Sequence, residues 1–255
     1  AGQDGGAIAQ RTANGIAEPP GGAAISLQYC IVAHNSSGVQ ANLSQVTGHV
    51  QHNCFYGNGE YNILGNYDPI NAPHPALGSA GNFSAAPGFV WQGEWRVRSD
   101  SPCVNVGDAP SGTDLDGQPR TLGGGRDIGA DEVLVVYVRP GGSDTNTGLS
   151  WAQAKQTVQA GIAAALPGGE VWVATGVYTE AIALANGVQF YGGFIGTETS
   201  LAQRNFLNNK TVLEGAGGSV VSAGAGVGAS ARLDGFTIQN GNAQYGGGIA
   251  CVGAS

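Results

Sequence analysis

SPCVNVGDAPSGTDLDGQPRTLGGGRDIGADEVLVVYVRPGGSDTNTGLSWAQAKQTVQAGIAAALPGGEVWVATGVYTE, residues 101–180, decides how this chain is read. Up to Glu132 it reads as the end of a domain, and from Val135 as the beginning of another. The expected domains are therefore 1–134 and 135–255. VLVVYV (133–138) reads as a buried strand, because it is far shorter than the roughly 20 apolar residues that span a bilayer. The spacing of Ala154, Val158, Ile162 and Ala165 predicts an amphipathic helix over 152–165, stopped by Pro167-Gly168-Gly169.

The rest of the composition fits strands and tight turns. The chain has 255 residues, 45 of them Gly, and its charged content of 11% is low. Recurrent β-branched and aromatic runs argue for turns rather than disorder. A net charge of −8 with 10 Lys+Arg argues against nucleic-acid binding through phosphate neutralisation. No apolar run is long enough to cross a membrane. The absence of a signal peptide and of an initiator Met leads us to expect a processed or excised piece, and the low charge with a polar Gly/Asn/Ser/Thr/Gln surface suggests an exported protein.

Outward on the N-terminal side, AAISLQYCIVAHNSSG (23–38) overlays VTGHVQHNCFYGNGEYN (46–62), with Cys30 on Cys54 and Asn35 near Asn58, a spacing of 24. On the C-terminal side, ARLDGFTIQNGNAQYGGGIACVG (231–253) repeats the formula, with Asn240 in the place of Asn35. A period of 20 to 30 with short strands and Gly/Asn corners indicates a solenoid. Turns stacked at ~4.8 Å need modest apolar residues inside and Gly or Asn at corners, and Asn side chains can ladder along the axis. Cys30, Cys54 and Cys251 are then expected as small inward residues, and all four cysteines (with Cys103) as free thiols. The prolines of 66–100 break the period.

A family resemblance adds to this reading. GNFSAAPGFV (81–90), GEWRVRSDSPCVNVGD (93–108) and TDLDGQPRTLGGGRDIGADE (113–132) resemble the C-terminal region of bacterial right-handed parallel β-helix (pectin-lyase-like) proteins of the choice-of-anchor Q type. Ala86 and Asn105 depart from that pattern, which carries Asp at both places. VYVRPGGSDTNTGLSWAQAKQTVQAGIAAALPGGEVWVATGVYTE (136–180) and VQFYGGFIGTETSLAQRNFLNNKTVLEG (188–215) resemble the opening of the same superfamily. The resemblance implies an all-β fold of two half-solenoids in permuted order: last turns, C-terminal cap, N-terminal cap, first turns.

The permutation has a geometric consequence. Caps at opposite ends of a coil of about eight turns lie roughly 40 Å apart, whereas residues 132–136 span less than ~20 Å. The halves are therefore expected as separate lobes whose raw ends are the two outer ones. DGGAIAQR (4–11) and YGGGIACVG (245–253) share a pattern, so Gly5, Gly6 and Ile8 are expected to meet Gly247, Gly248, Ile249 and Cys251 of another copy. Such a head-to-tail contact propagates into filaments. A slice of a longer adhesin is the alternative reading of the same ends.

Asp114, Asp116 and Asp127, with Asp131 and Glu132, form the densest acidic cluster, read either as a calcium loop or as a cap held by carboxylate-to-backbone bonds with Arg120 and Arg126. No other cofactor is expected. His34, His49 and His52 read as turn or surface residues. Trp91, Trp95, Tyr56, Tyr61 and Tyr67 read as packing residues or as sugar-stacking platforms. Two functions follow. One is a non-enzymatic extracellular filament or surface subunit; the other is a carbohydrate-binding or polysaccharide-degrading β-helix.

Overall fold

The computed structural model of the chain describes residues 8–9, 27–35, 39–40, 50–57, 66–67, 81–90, 96–108, 112–115, 117–120, 122 and 125–253. The chain forms two compact units, Ala1–Glu132 and Val133–Ser255. The first contains strands β1 (Ile8–Ala9), β2 (Leu27–Gln28), β3 (Ile31–Ala33), β4 (Val39–Gln40), β5 (Val50–Gln51), β6 (Cys54–Tyr56) and β7 (Asn66–Tyr67). The second contains β8 (Val135–Val138), helix α1 (Val158–Ala164), β9 (Glu170–Ala174), β10 (Gly176–Thr179), β11 (Ile182–Ala183), β12 (Gln189–Phe194), β13 (Thr211–Glu214), β14 (Val221–Ala223), β15 (Arg232–Asp234), β16 (Phe236–Gln239) and β17 (Ile249–Cys251). Apart from α1 and short 3-10 turns, the regular structure of the described residues is thus all β-strand.

Strand order carries the architecture. In the second unit the sheets are β8-β9-β12-β15, β10-β13-β16 and β11-β14-β17, and every named pairing in them is parallel. The chain visits these three sheets in a fixed cyclic order, three times over. Among the described residues the first unit makes two such passes, β1–β2–β3 and β4–β5–β6, paired in parallel as β1-β4, β2-β5 and β3-β6, before β7 joins β4 antiparallel. Parallel neighbours cannot be joined by hairpins. Here two other sheets supply the crossover.

In the second unit, β9 and β12 are buried on both faces. On one face Val136, Val138 and Val171 meet α1, where a Cβ on Gly161 would lie 2.5 Å from Val138. On the other face Trp172 stacks on Phe194 at 4.7 Å, with Tyr137, Trp151 and Tyr191 around them. Each such large buried side chain contributes roughly 1.5–3 kcal/mol. Ala154, Val158, Ile162 and Ala165 are buried as their spacing requires, but the helix is shorter than 152–165. Residues 151–153 form a 3-10 turn, and Lys155 is extended: it donates to the Tyr137 carbonyl (2.9 Å) and accepts from Arg139 (3.0 Å). That pairing with β8 overrides local propensity, and Thr157 caps the helix only afterwards. The Glu180 carboxylate, 22 residues on, accepts the Val158 and Gln159 N–H groups at 2.8 and 3.0 Å, filling the first-turn donors that a helix leaves open.

The first unit is set by its corners. Tyr29, His52 and Gly81 all have φ between 51° and 70°, and they stack. The Tyr29 and His52 rings are parallel at 5.4 Å, and a Cβ on Gly81 would fall 2.2 Å from His52. After them Cys30, Asn53 and Asn82 form a buried ladder. Asn53 accepts from the Cys30 N–H (2.9 Å) and donates to the Leu27 and Gln51 carbonyls and to Asn82 Oδ1 (2.8, 2.9 and 2.9 Å). Ile31, not Cys30, consequently pairs with Cys54. The repeat here is 23 residues, and the overlay of Cys30 on Cys54 is corrected by one. Cys30 is half-buried, its thiol donating to the Gln28 carbonyl at 3.2 Å, and Cys251 is exposed rather than inward. All four cysteines are free thiols. Cys54 and Cys103 are fully buried and hydrogen-bonded to each other; that bond and burial push the Cys103 thiol up.

The described residues between 96 and 132 form a strap along the third sheet of this unit. Cys103 and Ile128 pack on Ile31, Cys54 and Phe83, which come from three successive turns. The expected cap therefore runs along the turns and does not simply close one end. It also reaches the outer side of the first described turn. The Cys30 N–H points at Asn53, so the Tyr29 carbonyl of the same trans peptide faces the opposite way, where it accepts the Gly129 N–H at 2.9 Å.

Candidate functional site

The second unit's inward columns become exposed at one place. Ile182 and Val221 are 2% and 0% exposed, but Ile249, next in that column, is 48% exposed. Tyr178 and Leu213 are buried, but Ile238 is only partly covered; Val171 and Phe190 are buried, but Leu233 is not. Leu233, Ile238 and Ile249 belong to one pass of the chain, β15–β16–β17, which is the outermost strand of all three sheets. Val252 is 74% exposed beside them.

The backbone is open on the same side. Val221 N–H donates to Gly248 and Val252 N–H to Ala223, each at 3.0 Å. In a parallel ladder alternate residues face the same neighbour, so the N–H and C=O of Ile249 and Cys251 point away from β14. Gly247 and Gly248 give their carbonyls to Val220 and Val221. Of the residues expected to meet them, Ile8 lies in β1, paired with Val39 of β4. Gly5 and Gly6 lie outside the described residues.

The two edges also share their corners. In the second unit Asn240 (φ 59°) follows β16; in the first, His34 (φ 57°) follows β3 and Gly57 (φ 60°) follows β6. Asn240 thus matches His34 rather than Asn35. On this correspondence β17 matches β1, β15 matches β2 and β16 matches β3.

The acidic corner belongs to the strap. Asp114 accepts the Gln118 N–H (2.7 Å) on one oxygen and the Glu132 N–H (3.1 Å) on the other. Asp127 accepts the Asn105 N–H at 2.7 Å. Glu132 accepts from the Asp127 N–H and from Arg120 at 3.1 Å, and Arg120 also holds the Gly129 and Ala130 carbonyls. Burial, then the neighbouring Asp127 charge, raises the Glu132 carboxyl to about 7. Among the described residues no group of three His, Cys, Asp or Glu side chains is placed to hold a metal ion. Asp116 lies outside them.

His52 sits 3.3 Å from Asp108 within the corner stack, and His34 packs edge-on against Tyr56 at 5.6 Å. His49, Trp91, Trp95 and Tyr61 lie outside the described residues, and Tyr67 is described only as part of β7. The opening motifs are occupied structurally. Asp144 holds the Gln156 and Thr157 N–H groups, and Asn146 donates to the Ala154 carbonyl. Glu198 accepts three successive backbone N–H groups, from Ile195 to Thr197. Arg204 lies over Tyr191 and pairs with Asp234 at 2.6 Å.

No protein-family model, curated protein or solved structure matches this chain. No helix among the described residues is long and apolar enough to cross a membrane.

Proposed function

We propose that the chain is a non-enzymatic structural subunit of an extracellular filament or surface assembly. Its two units are half-solenoids of a right-handed parallel β-helix, and copies join head to tail by continuing one another's stack. The observation that carries this reading is the simultaneous opening of three apolar columns and three backbone edges at the β15–β16–β17 turn. An edge of this kind templates another strand. Partly exposed Leu233 and Ile238, half-exposed Ile249 and exposed Val252 would gain about 3–5 kcal/mol on being covered. The corner correspondence supports β1–β2–β3 of a second copy as the cover. At Tyr29 the incoming turn would meet Gly129 rather than a bare carbonyl, so the joint rests chiefly on the strand edges on either side of that corner.

Electron microscopy with sedimentation across a concentration series tests the proposal. Fibres that lengthen with concentration are expected. Particles of one chain's mass, 25.6 kDa, at every concentration would contradict it. They would point instead to edges that are covered only by further turns of a longer chain.

A further inference from the structure

The first unit contains a cavity of 540 Å3 between the β2–β3 corner and the strap, lined among others by Gln28, Tyr29, Ile31, Phe89, Arg120 and Arg126. That volume is in the range that takes small molecules. Its walls combine two aromatic rings and an isoleucine with two guanidinium groups. In a chain with a net charge of −8, this is a local reversal of sign.

The two arginines differ in what they already hold. Arg120 is 8% exposed and is consumed: Glu132 and the carbonyls of Gly129 and Ala130 take its terminal N–H groups, although its buried Nε–H has no partner. Arg126 lies 4.0 Å over the Tyr29 ring, its Nε–H is inaccessible and unpaired, and no hydrogen bond or carboxylate holds its side chain among the described residues. Arg96, Arg98, Arg204 and Arg232, by contrast, each have a carboxylate partner. A guanidinium held over a ring face and not by a carboxylate keeps terminal N–H donors for a ligand, and these match a carboxylate bidentately.

We propose that this cavity binds a small organic carboxylate, its charged end chelated by Arg126 and its ring or apolar body laid against Ile31 and Phe89. One uncommitted guanidinium beside an Arg120 already engaged by Glu132 favours a monoanion, since a dianionic phosphate would bring a second charge with no second free cation to meet it. The apolar walls favour an organic body over a bare ion.

Titration of the full chain, followed by isothermal calorimetry and ligand-observed NMR, tests this with four probes: benzoate, acetate, benzamide and inorganic phosphate. Benzoate is expected to bind, with acetate and benzamide each at least tenfold weaker, because each lacks one half of the match. Arg126→Gln should weaken benzoate at least tenfold and Arg126→Lys less, since an ammonium keeps charge but not the fork. Phe89→Ala should weaken benzoate several-fold without restoring acetate. Arg98→Gln, on the same unit but outside the cavity, should leave binding unchanged. Circular dichroism of each variant confirms that the fold is intact. Failure of benzoate to bind at millimolar concentration, equal binding by Arg126→Gln, or phosphate binding as tightly as benzoate would overturn the proposal.

Discussion

Cys251→Pro separates edge-to-edge joining from every other mode of association. The Cys251 N–H points away from β14, because Val252 makes the bond to Ala223. Proline there removes a donor that the isolated chain leaves to solvent, and proline is tolerated on an edge strand with that orientation. Folding should therefore be nearly unaffected, within about 0.5 kcal/mol. At a joint the same change removes one hydrogen bond and strands the incoming carbonyl, at a cost of roughly 1–3 kcal/mol. The concentration needed for assembly should rise roughly 5- to 150-fold. Ala250→Pro is the matched control: the alternation directs its N–H inward to Val221, so it should fray β17 itself, read as lost hydrogen-exchange protection over 249–252. Pelleting across a concentration series gives the critical concentration of each variant. Equal values for Cys251→Pro and the parent chain, or identical behaviour of the two prolines, would refute joining through this edge.

Other consequences are local. Asn53→Ala leaves the Cys30 N–H without its acceptor and removes the side-chain bonds to the Leu27 and Gln51 carbonyls and to Asn82; it should cost roughly 1–3 kcal/mol, seen as faster amide exchange in residues 27–35 and 50–57. Glu132 ionises near 7 in the folded chain and near 4.5 when unfolded. The folded state therefore holds a proton that the unfolded state releases, and the first unit should lose up to roughly 3 kcal/mol of stability as pH rises from about 4.5 to 7. Glu132→Gln should flatten that slope in denaturant titrations. Because both Asp114 oxygens are already taken by backbone N–H groups, a calcium chelator should leave the melting temperature of the purified chain unchanged. A fall of several degrees would instead place a cation on the Asp116 side of the loop. Glu180→Gln should weaken the start of α1 by about 1 kcal/mol, read from exchange of the Val158 and Gln159 amides.

The parts of this fold legible in the sequence are those in which neighbouring residues decide the outcome. The burial of Val158 and Ile162 follows from helical spacing, and the β-rich character from the short apolar runs between glycines. The start of the helix was not legible, because Lys155 is held by Tyr137, which lies 18 residues earlier. Two cysteines 24 apart suggested a register that the Asn53 amide sets at 23 instead. Their identity was a coincidence of residue type, while the informative signal was the left-handed pair Tyr29 and His52, of which only His favours that conformation. Cys251 carries the same pattern as a buried residue. Only its place in the outermost turn exposes it, and place within a stack is not written in one repeat. The cavity at Arg126 was equally hidden, since its walls come from segments about 100 residues apart.

Diffraction from aligned, concentrated protein reaches the claim of continued stacking most directly. Copies that extend one another's turns carry the strand spacing across every joint, giving a reflection near ~4.8 Å in fibres many subunits long. Scattering from dispersed single chains, or fibres without that repeat, would contradict it.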